Sequence, residues 1–426
     1  MNSTSSTTGG PNTLEPRSLT AWLERLPAVR ERLGGAPESW TIREVGDGNL
    51  NLVFLVDGPD GSVCVKQALP YVRVAGPSWP MTPERAYYEQ LYYAAVAPHV
   101  DGFIPRVFHY DPSLHAIVME RLTPHLILRR GLIGAHRYER VGRDIGEYVA
   151  RAGFFTSDIA APFEQKFDGL ARFAGNKELV RISVDLIFTD PYFEAPRNRH
   201  TTPQLDRTVA ALRGDAAVKA AAADLGRRFL GETQALIHGD LHSGSIMVTD
   251  DDTRVIDPEF AFYGPLGFDL GAFLGNLVLA WCAQPGLARA GEDRGGYRAW
   301  ILEQARIFWT TFRDRFLGLW REHAHGDAWP AAMFRGADDA AALDLARRDY
   351  VDRLFTDTLG FAACKMIRRV VGFAHVADFD EIADPQVRAR CERAALAIAS
   401  HWLTRRQDYR TIDDALDALP DAARDR

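Results

Sequence analysis

The chain has 426 residues, 46% hydrophobic and 25% charged, with 50 Lys and Arg against 57 Asp and Glu for a net charge of −7. Such proportions belong to a globular chain long enough for two or three domains or one bilobed enzyme. The acidic balance, with no basic run, argues against a general nucleic-acid-binding surface. The longest apolar run, 270–283, is shorter than a bilayer span and carries Asn276, so no membrane segment is expected.

Residues 1–13 are Ser/Thr-rich, lack the basic and apolar stretches of a secretory signal, and read as a disordered tail. Leu19, Trp22, Leu23, Leu26, Val29 and Leu33 then recur at helical spacing, predicting one helix that ends at Gly34-Gly35. Short β-prone runs follow at 40–45, 52–56 and 62–66, separated by GDGN and DGPDG turns, which predicts an antiparallel meander. Thr82-Pro83-Glu84 is a helix-start signal for a helix through about Val96. A strand at 116–119 leads into Glu120-Arg121-Leu122.

Beyond Leu122 the pattern is mainly helical, over 138–152, 204–212, 216–230, 270–283, 297–323 and 341–375. One hairpin interrupts it: β-prone runs at 246–249 and 253–257 flank Asp250-Asp251-Asp252. The expected fold class is therefore α+β and bilobed, with a small antiparallel-sheet lobe over 14–121 and a large, mostly helical lobe over 122–426. Cys64, Cys282, Cys364 and Cys391 form no CxxC and have no His partner nearby, so they read as thiols of a reducing compartment, which points to the cytoplasm.

The strongest chemical signal is His238-Gly239-Asp240-Leu241-His242-Ser243-Gly244-Ser245. Protein kinases hold their catalytic base in a loop of similar spacing, and Ser245 stands where those enzymes carry Asn. Asp240 suits the role because a carboxylate accepts the proton of an attacking hydroxyl. The same residues would also fit a helix-capping Asp beside a core histidine. They would equally fit a metal site built from His238, Asp240 and His242, which alternate along an extended segment.

Val255-Ile256-Asp257-Pro258-Glu259 decides among these. In extended backbone Asp257 and Glu259 face one side and offer a joint oxygen site, of the kind Mg²⁺ takes together with substrate phosphates. The hairpin between the two motifs returns Asp257 towards Asp240. Upstream, Gly46-Asp47-Gly48-Asn49 between two strands can bring backbone amides over phosphates. Val63-Cys64-Val65-Lys66 is similar to the strand whose Lys pairs nucleotide phosphates, with Glu89, rather than Glu84, as its expected helical partner. Gly loop, strand Lys, helix Glu, hinge, catalytic Asp and metal carboxylates follow in the order of protein-kinase-like phosphotransferases.

With GDGNLN, MERL, ALIHGDLHSGSIMVT, VIDPEFAFYGPLGFDLGAFLGN and CKMIRRVVGFAHV, the chain resembles the 5-methylthioribose kinase family over roughly residues 40 to 380. That resemblance implies Mg²⁺ and ATP as cofactors, the anomeric hydroxyl of 5-methylthioribose as acceptor, a role in methionine salvage, and a homodimer. It implies that Asn49 and Lys66 contact ATP, with Gly46 and Gly48 shaping the loop, and that Glu120, Arg121 and Leu122 meet adenine through the backbone. It assigns Asp240 to the sugar hydroxyl, and Asp257, Pro258 and Glu259 to the nucleotide and its metal. Arg368 or Arg369 reaches the sugar or the moving phosphoryl group, and Asp269 braces the catalytic loop unless it merely caps a helix. Ser243 departs from the Thr expected in this loop. Two rivals remain: a kinase for another alcohol, of aminoglycoside or choline type, and a nucleotide-binding module without activity. Twin arginines disfavour a cationic substrate, and intact Lys66, Asp240, Asp257 and Glu259 disfavour inactivity.

Overall fold

The computed structural model describes residues 12–46, 50–73 and 76–423. It divides into two compact units, one formed by the chain up to Ala94 with Pro105–Thr123, the other by Ala95–Ile104 with Pro124 onwards. The single break expected before Leu122 is thus displaced to after Thr123, and ten residues beyond Ala94 pack in the second unit. There the Phe103 carbonyl accepts the Val255 N–H at 2.7 Å.

The first unit is built on a five-stranded antiparallel sheet in the order β1-β2-β3-β5-β4. Its strands are β1 (Thr41–Glu44), β2 (Asn51–Asp57), β3 (Ser62–Ala68), β4 (Val107–Asp111) and β5 (Ala116–Glu120). Alternation along β2 and β3 sends Phe54, Val56, Val63 and Val65 to one face. They form a core there with Leu19, Trp22, Leu23, Val29 and Leu33. Those last five come from two helices, Pro16–Leu23 and Pro27–Leu33, and not from one. Pro27 lacks the N–H needed to continue the first helix and starts the second. On the opposite face Ala68, Ile117 and Met119 pack with Ala86 of helix Arg85–Val96. Strand β4 escaped the sequence reading because all five residues are half-buried and a bulge between Val107 and His109 breaks the alternation.

The second unit is mostly helical. Its strands are short: β6 (Leu126–Ile127), β7 (Ala235–Ile237), β8 (Ile246–Val248), β9 (Thr253–Val255) and β10 (Phe262–Gly264). The β8–β9 hairpin is the expected one, extended by β6, while β7 pairs with β10. At its centre helix Leu266–Leu287 packs against helices Asp339–Val371 and Pro385–Arg405. With 22 residues it exceeds the apolar run read from the sequence, and by length and composition it could cross a membrane; its most apolar window is nonetheless wholly buried.

The helix pair fits closely because of its glycines. Gly267, Gly271 and Gly275 recur every four residues and so share one face. A Cβ at Gly271 would lie 2.6 Å from the Ala362 nitrogen and one at Gly275 3.0 Å from the Ala362 oxygen. That approach brings the basic residues of helix Asp339–Val371 against the loop that follows β7.

Candidate active site

The loop between β7 and β8 carries Asp240. Gly239 before it has φ +82°, and a Cβ there would lie 2.2 Å from the Phe260 carbonyl oxygen, so only glycine fits. Asp269, in the first turn of helix Leu266–Leu287, accepts the backbone N–H groups of His238 at 2.6 Å and Gly239 at 3.0 Å. It therefore ties the loop to the helix and is not the N-cap, a position held by Pro265. Burial raises the Asp269 carboxyl to about 7, against the two amide bonds and Lys365, which pull it down.

His238 is fully buried. Its Nε2 donates to the Ile256 carbonyl at 2.8 Å and its Nδ1 accepts from the Asp240 N–H at 3.2 Å. Burial lowers it to about 4, so it stays neutral at physiological pH. Asp240 itself is partly exposed, at 23% of its side chain. Lys365 Nζ lies 2.9 Å from its Oδ1, and His242 Nε2 lies 3.2 Å from its Oδ2. Burial pushes the Asp240 carboxyl up, but Lys365 first, then His242 and Arg369, outweigh it and hold it well below the usual carboxylate range. Ser245 donates its hydroxyl to the Asp240 carbonyl at 3.0 Å. With both ring nitrogens of His238 and His242 engaged this way, and no group of three His, Cys, Asp or Glu suited to a metal among the described residues, the metal reading of this loop falls.

Asp257 and Glu259 depart from the expected extended geometry. Asp257 is left-handed at φ 63°, ψ 46°, and Glu259 sits in the short 3-10 turn Pro258–Phe260. A tight turn, and not alternation along a strand, thus links the two residues. Asn176 fastens it by donating to the carbonyls of Glu259 at 3.0 Å and Ala261 at 2.9 Å. Glu259 is buried and Asp257 half-buried. Two carboxylates suit a hard divalent cation that completes its shell with phosphate and water.

Helix Asp339–Val371 carries Lys365, Arg368 and Arg369 within about one turn. Lys365 and Arg369 are buried, at 2% and 6% exposed, and Arg368 is half-buried. Lys365 also lies 4.3 Å from the Phe268 ring centroid. Arg369 donates to the Ala374 carbonyl at 3.0 Å, and the Nε atoms of Arg368 and Arg369 have no hydrogen-bond partner among the described residues. Burial lowers both guanidinium groups, with Arg368 adding to the effect on Arg369. Arg129 adds a further cation. It donates to Ser243 Oγ at 3.1 Å and Asn276 Oδ1 at 2.8 Å, and its Nε is 3.3 Å from Asp378. Lys365, His242 and Arg129 were missed as site residues. Nothing marked Arg129, but HGDLH had already placed His242 two residues from Asp240.

In the first unit Lys66 Nζ lies 2.7 Å from Glu89 Oε2, both side chains buried, whereas Glu84 is 58% exposed and lies 3.9 Å from His115. Arg85, one turn before Glu89, is completely buried; it donates to Asn51 Oδ1 at 3.0 Å and to the carbonyls of Leu69, Thr82 and Leu50. Gly46 precedes this anchor, while Gly48 and Asn49 lie outside the described residues. In the expected hinge, the Glu120 N–H donates to the Arg106 carbonyl at 2.8 Å and Arg121 pairs with Asp57. The Glu120 N–H is therefore engaged by the residue that precedes β4; Leu122 follows half-buried.

A profile of the phosphotransferase enzyme family matches residues 41–308. Methylthioribose kinase 1 of Oryza sativa subsp. japonica is 44% identical, across 95% of this chain and 94% of its own. The methylthioribose kinase of Escherichia coli O45:K1 (strain S88 / ExPEC) is 43% identical, across 90% of this chain and 91% of its own. Among solved structures, a glucosamine kinase in complex with glucosamine, ADP and inorganic phosphate aligns over 96% of this chain and 86% of its own, at 15% identity and a TM-score of 0.46. The chain belongs to the phosphotransferase enzyme family and, within it, to the methylthioribose kinases.

Proposed function

We propose that the protein transfers the γ-phosphoryl group of ATP to the anomeric hydroxyl of 5-methylthioribose in methionine salvage, with Asp240 as the acceptor-side base. In that step the sugar oxygen–phosphorus bond forms, the bond to the β-phosphate oxygen breaks, ADP leaves, and the hydroxyl proton passes to Asp240. The observation that carries this reading is the Asp240 carboxylate, ionised and held on both oxygens. Its low proton affinity suits a loose transition state, in which the base orients the hydroxyl and takes the proton late.

Arg368, Arg369, Lys365 and Arg129 exceed Asp240 and Asp378 in number, which favours the charge of a phosphoryl group in transfer. Arg368 and Arg369 further supply planar donors to ribose hydroxyls or phosphoryl oxygens. A choline-type substrate would need an acidic or aromatic cage here instead. Asp257 and Glu259 would hold Mg²⁺, which when bound neutralises phosphate charge. Lys66, steadied by Glu89, pairs with nucleotide phosphates, and Asn49 and the segment Glu120–Leu122 complete the nucleotide contacts. The resemblance also implies a homodimer, testable by light scattering as a mass near twice 47.5 kDa, and four cysteines spaced without a CxxC pair suit a reducing compartment, the cytoplasm.

ADP release measured with methylthioribose, ribose, choline and kanamycin tests the assignment. Methylthioribose is expected to give the highest kcat/KM, by at least about tenfold, a difference of about 1.4 kcal/mol. Choline or kanamycin leading the series would overturn it.

A further inference from the structure

The carboxylate of Asp240 is gripped from two sides, and one of the two grips comes from its own loop. His242 Nδ1 accepts the Gly244 backbone N–H at 2.9 Å and is within 3.4 Å of Ser245 Oγ. A ring nitrogen accepting an amide hydrogen carries no proton, so in the neutral imidazole the proton sits on Nε2. That nitrogen lies 3.2 Å from Asp240 Oδ2. Burial lowers His242 to about 4, assisted by Arg369 and Arg129 and opposed by Asp240, so this neutral form persists through the physiological range. The loop is shaped for the ring: a Cβ at Gly244 would lie 2.7 Å from His242 Cε1 and 3.0 Å from its Nδ1. Across the carboxylate, Lys365 holds Oδ1 at 2.9 Å from a different element.

We propose that His242 is a positioning residue for the phosphoryl transfer: its Nε2–H, fixed by the Gly244 amide, locks the rotation of the Asp240 carboxylate so that a remaining lone pair meets the acceptor hydroxyl. This rests on the assignment of Asp240 as the base. A carboxylate free to turn about its Cβ–Cγ bond would meet the hydroxyl in line only part of the time, and geometric placement of this kind is a large component of enzymatic rate. The charged and titratable groups around Asp240 are Lys365, Arg368 and Arg369 from helix Asp339–Val371, Asp269 from helix Leu266–Leu287, and His238 and His242 from the loop itself. Removing one donor to the charged carboxylate raises its proton affinity, so the acid limb of activity moves to higher pH.

Two substitutions separate the positions of the ring's two nitrogens. His242→Asn places an oxygen near Nδ1 and keeps the bond from Gly244, but cannot reach Asp240. His242→Gln places an amide near Nε2 and keeps the donor to Asp240. The experiment is kcat between pH 3 and 9 for both variants and for Asp240→Asn, at saturating Mg·ATP, with the methylthioribose KM and the thermal midpoint measured alongside. His242→Asn is expected to lose kcat by at least tenfold, with KM within threefold and the acid limb moved up. His242→Gln is expected to stay within threefold of wild type with its limb in place. A wild-type kcat and limb in His242→Asn, or an equal loss in both variants, or loss of fold in both, would overturn the proposal. Should Asp240→Asn retain more than half the wild-type kcat, the assignment of the base falls instead, whatever the two His242 variants do.

Discussion

Asp269→Asn probes how the catalytic loop is anchored. The wild-type carboxyl is 4% exposed, accepts two backbone N–H groups, and is raised by burial to about 7 from an ordinary value of 3.8. Between those values the folded state binds more protons at this group than the unfolded state, so stability falls as pH rises. At 1.36 kcal/mol per pH unit the whole effect is about 4 kcal/mol, more than half of it falling between pH 5 and 8. Asparagine does not titrate, which removes that slope. It accepts from only one of the two amides and turns an NH₂ towards the other, at a cost of about 1–3 kcal/mol for the orphaned donor. At pH 5 the variant should therefore melt a few degrees below wild type, at about 2–4 °C per kcal/mol. By pH 8 the gap should close or reverse. Thermal or urea melts of both proteins across pH 5–8 test this, following the transition that the substitution moves, because the chain has two compact units. A gap that stays flat, or widens in favour of wild type towards pH 8, would refute the reasoning and mean that two amides suffice to keep the buried carboxylate ionised.

Gly271→Ala would drive a Cβ to 2.6 Å from the Ala362 nitrogen and 2.7 Å from the Thr358 oxygen, both backbone atoms, and should cost about 1–3 kcal/mol in a urea melt. Glu89→Gln breaks a pair whose side chains are 8% and 1% exposed. It should raise the KM for ATP more than that for the sugar, and its stability loss should approach about 3 kcal/mol. Asp257→Asn should be rescued poorly by raised Mg²⁺ and Glu259→Gln in part; wild-type Mg²⁺ titrations in both would move the metal elsewhere. Arg368→Ala should lose kcat/KM for methylthioribose with little change in thermal midpoint, whereas Arg369→Ala, buried and bonded to Ala374, should lose both.

Much of this architecture was legible because it is local. The β8–β9 hairpin and strands β1, β2, β3 and β5 of the first sheet follow from alternation and turn residues, and the pairing of Lys66 with Glu89 follows from the order of the kinase-like motifs. What stayed hidden depends on long-range approach. The pairing of Lys365 with Asp240 joins residues 125 positions apart, and it exists because Gly267, Gly271 and Gly275 let two helices close upon each other. The geometry of Asp257 was misread for a different reason: Pro258 turns the chain into a 3-10 helix directly after β9, so strand alternation ends sooner than the apolar run suggested.

The account stands most directly on Asp240. Its replacement by Asn keeps the shape and one acceptor oxygen but abolishes the proton acceptor, and a positioned general base contributes about 10²–10⁴-fold. Turnover of methylthioribose by Asp240→Asn, measured beside calorimetric binding of ATP, is therefore expected to fall by at least about a hundredfold while ATP affinity stays within about threefold of wild type. An Asp240→Asn enzyme that keeps more than about half the wild-type kcat, far outside that range, would contradict it.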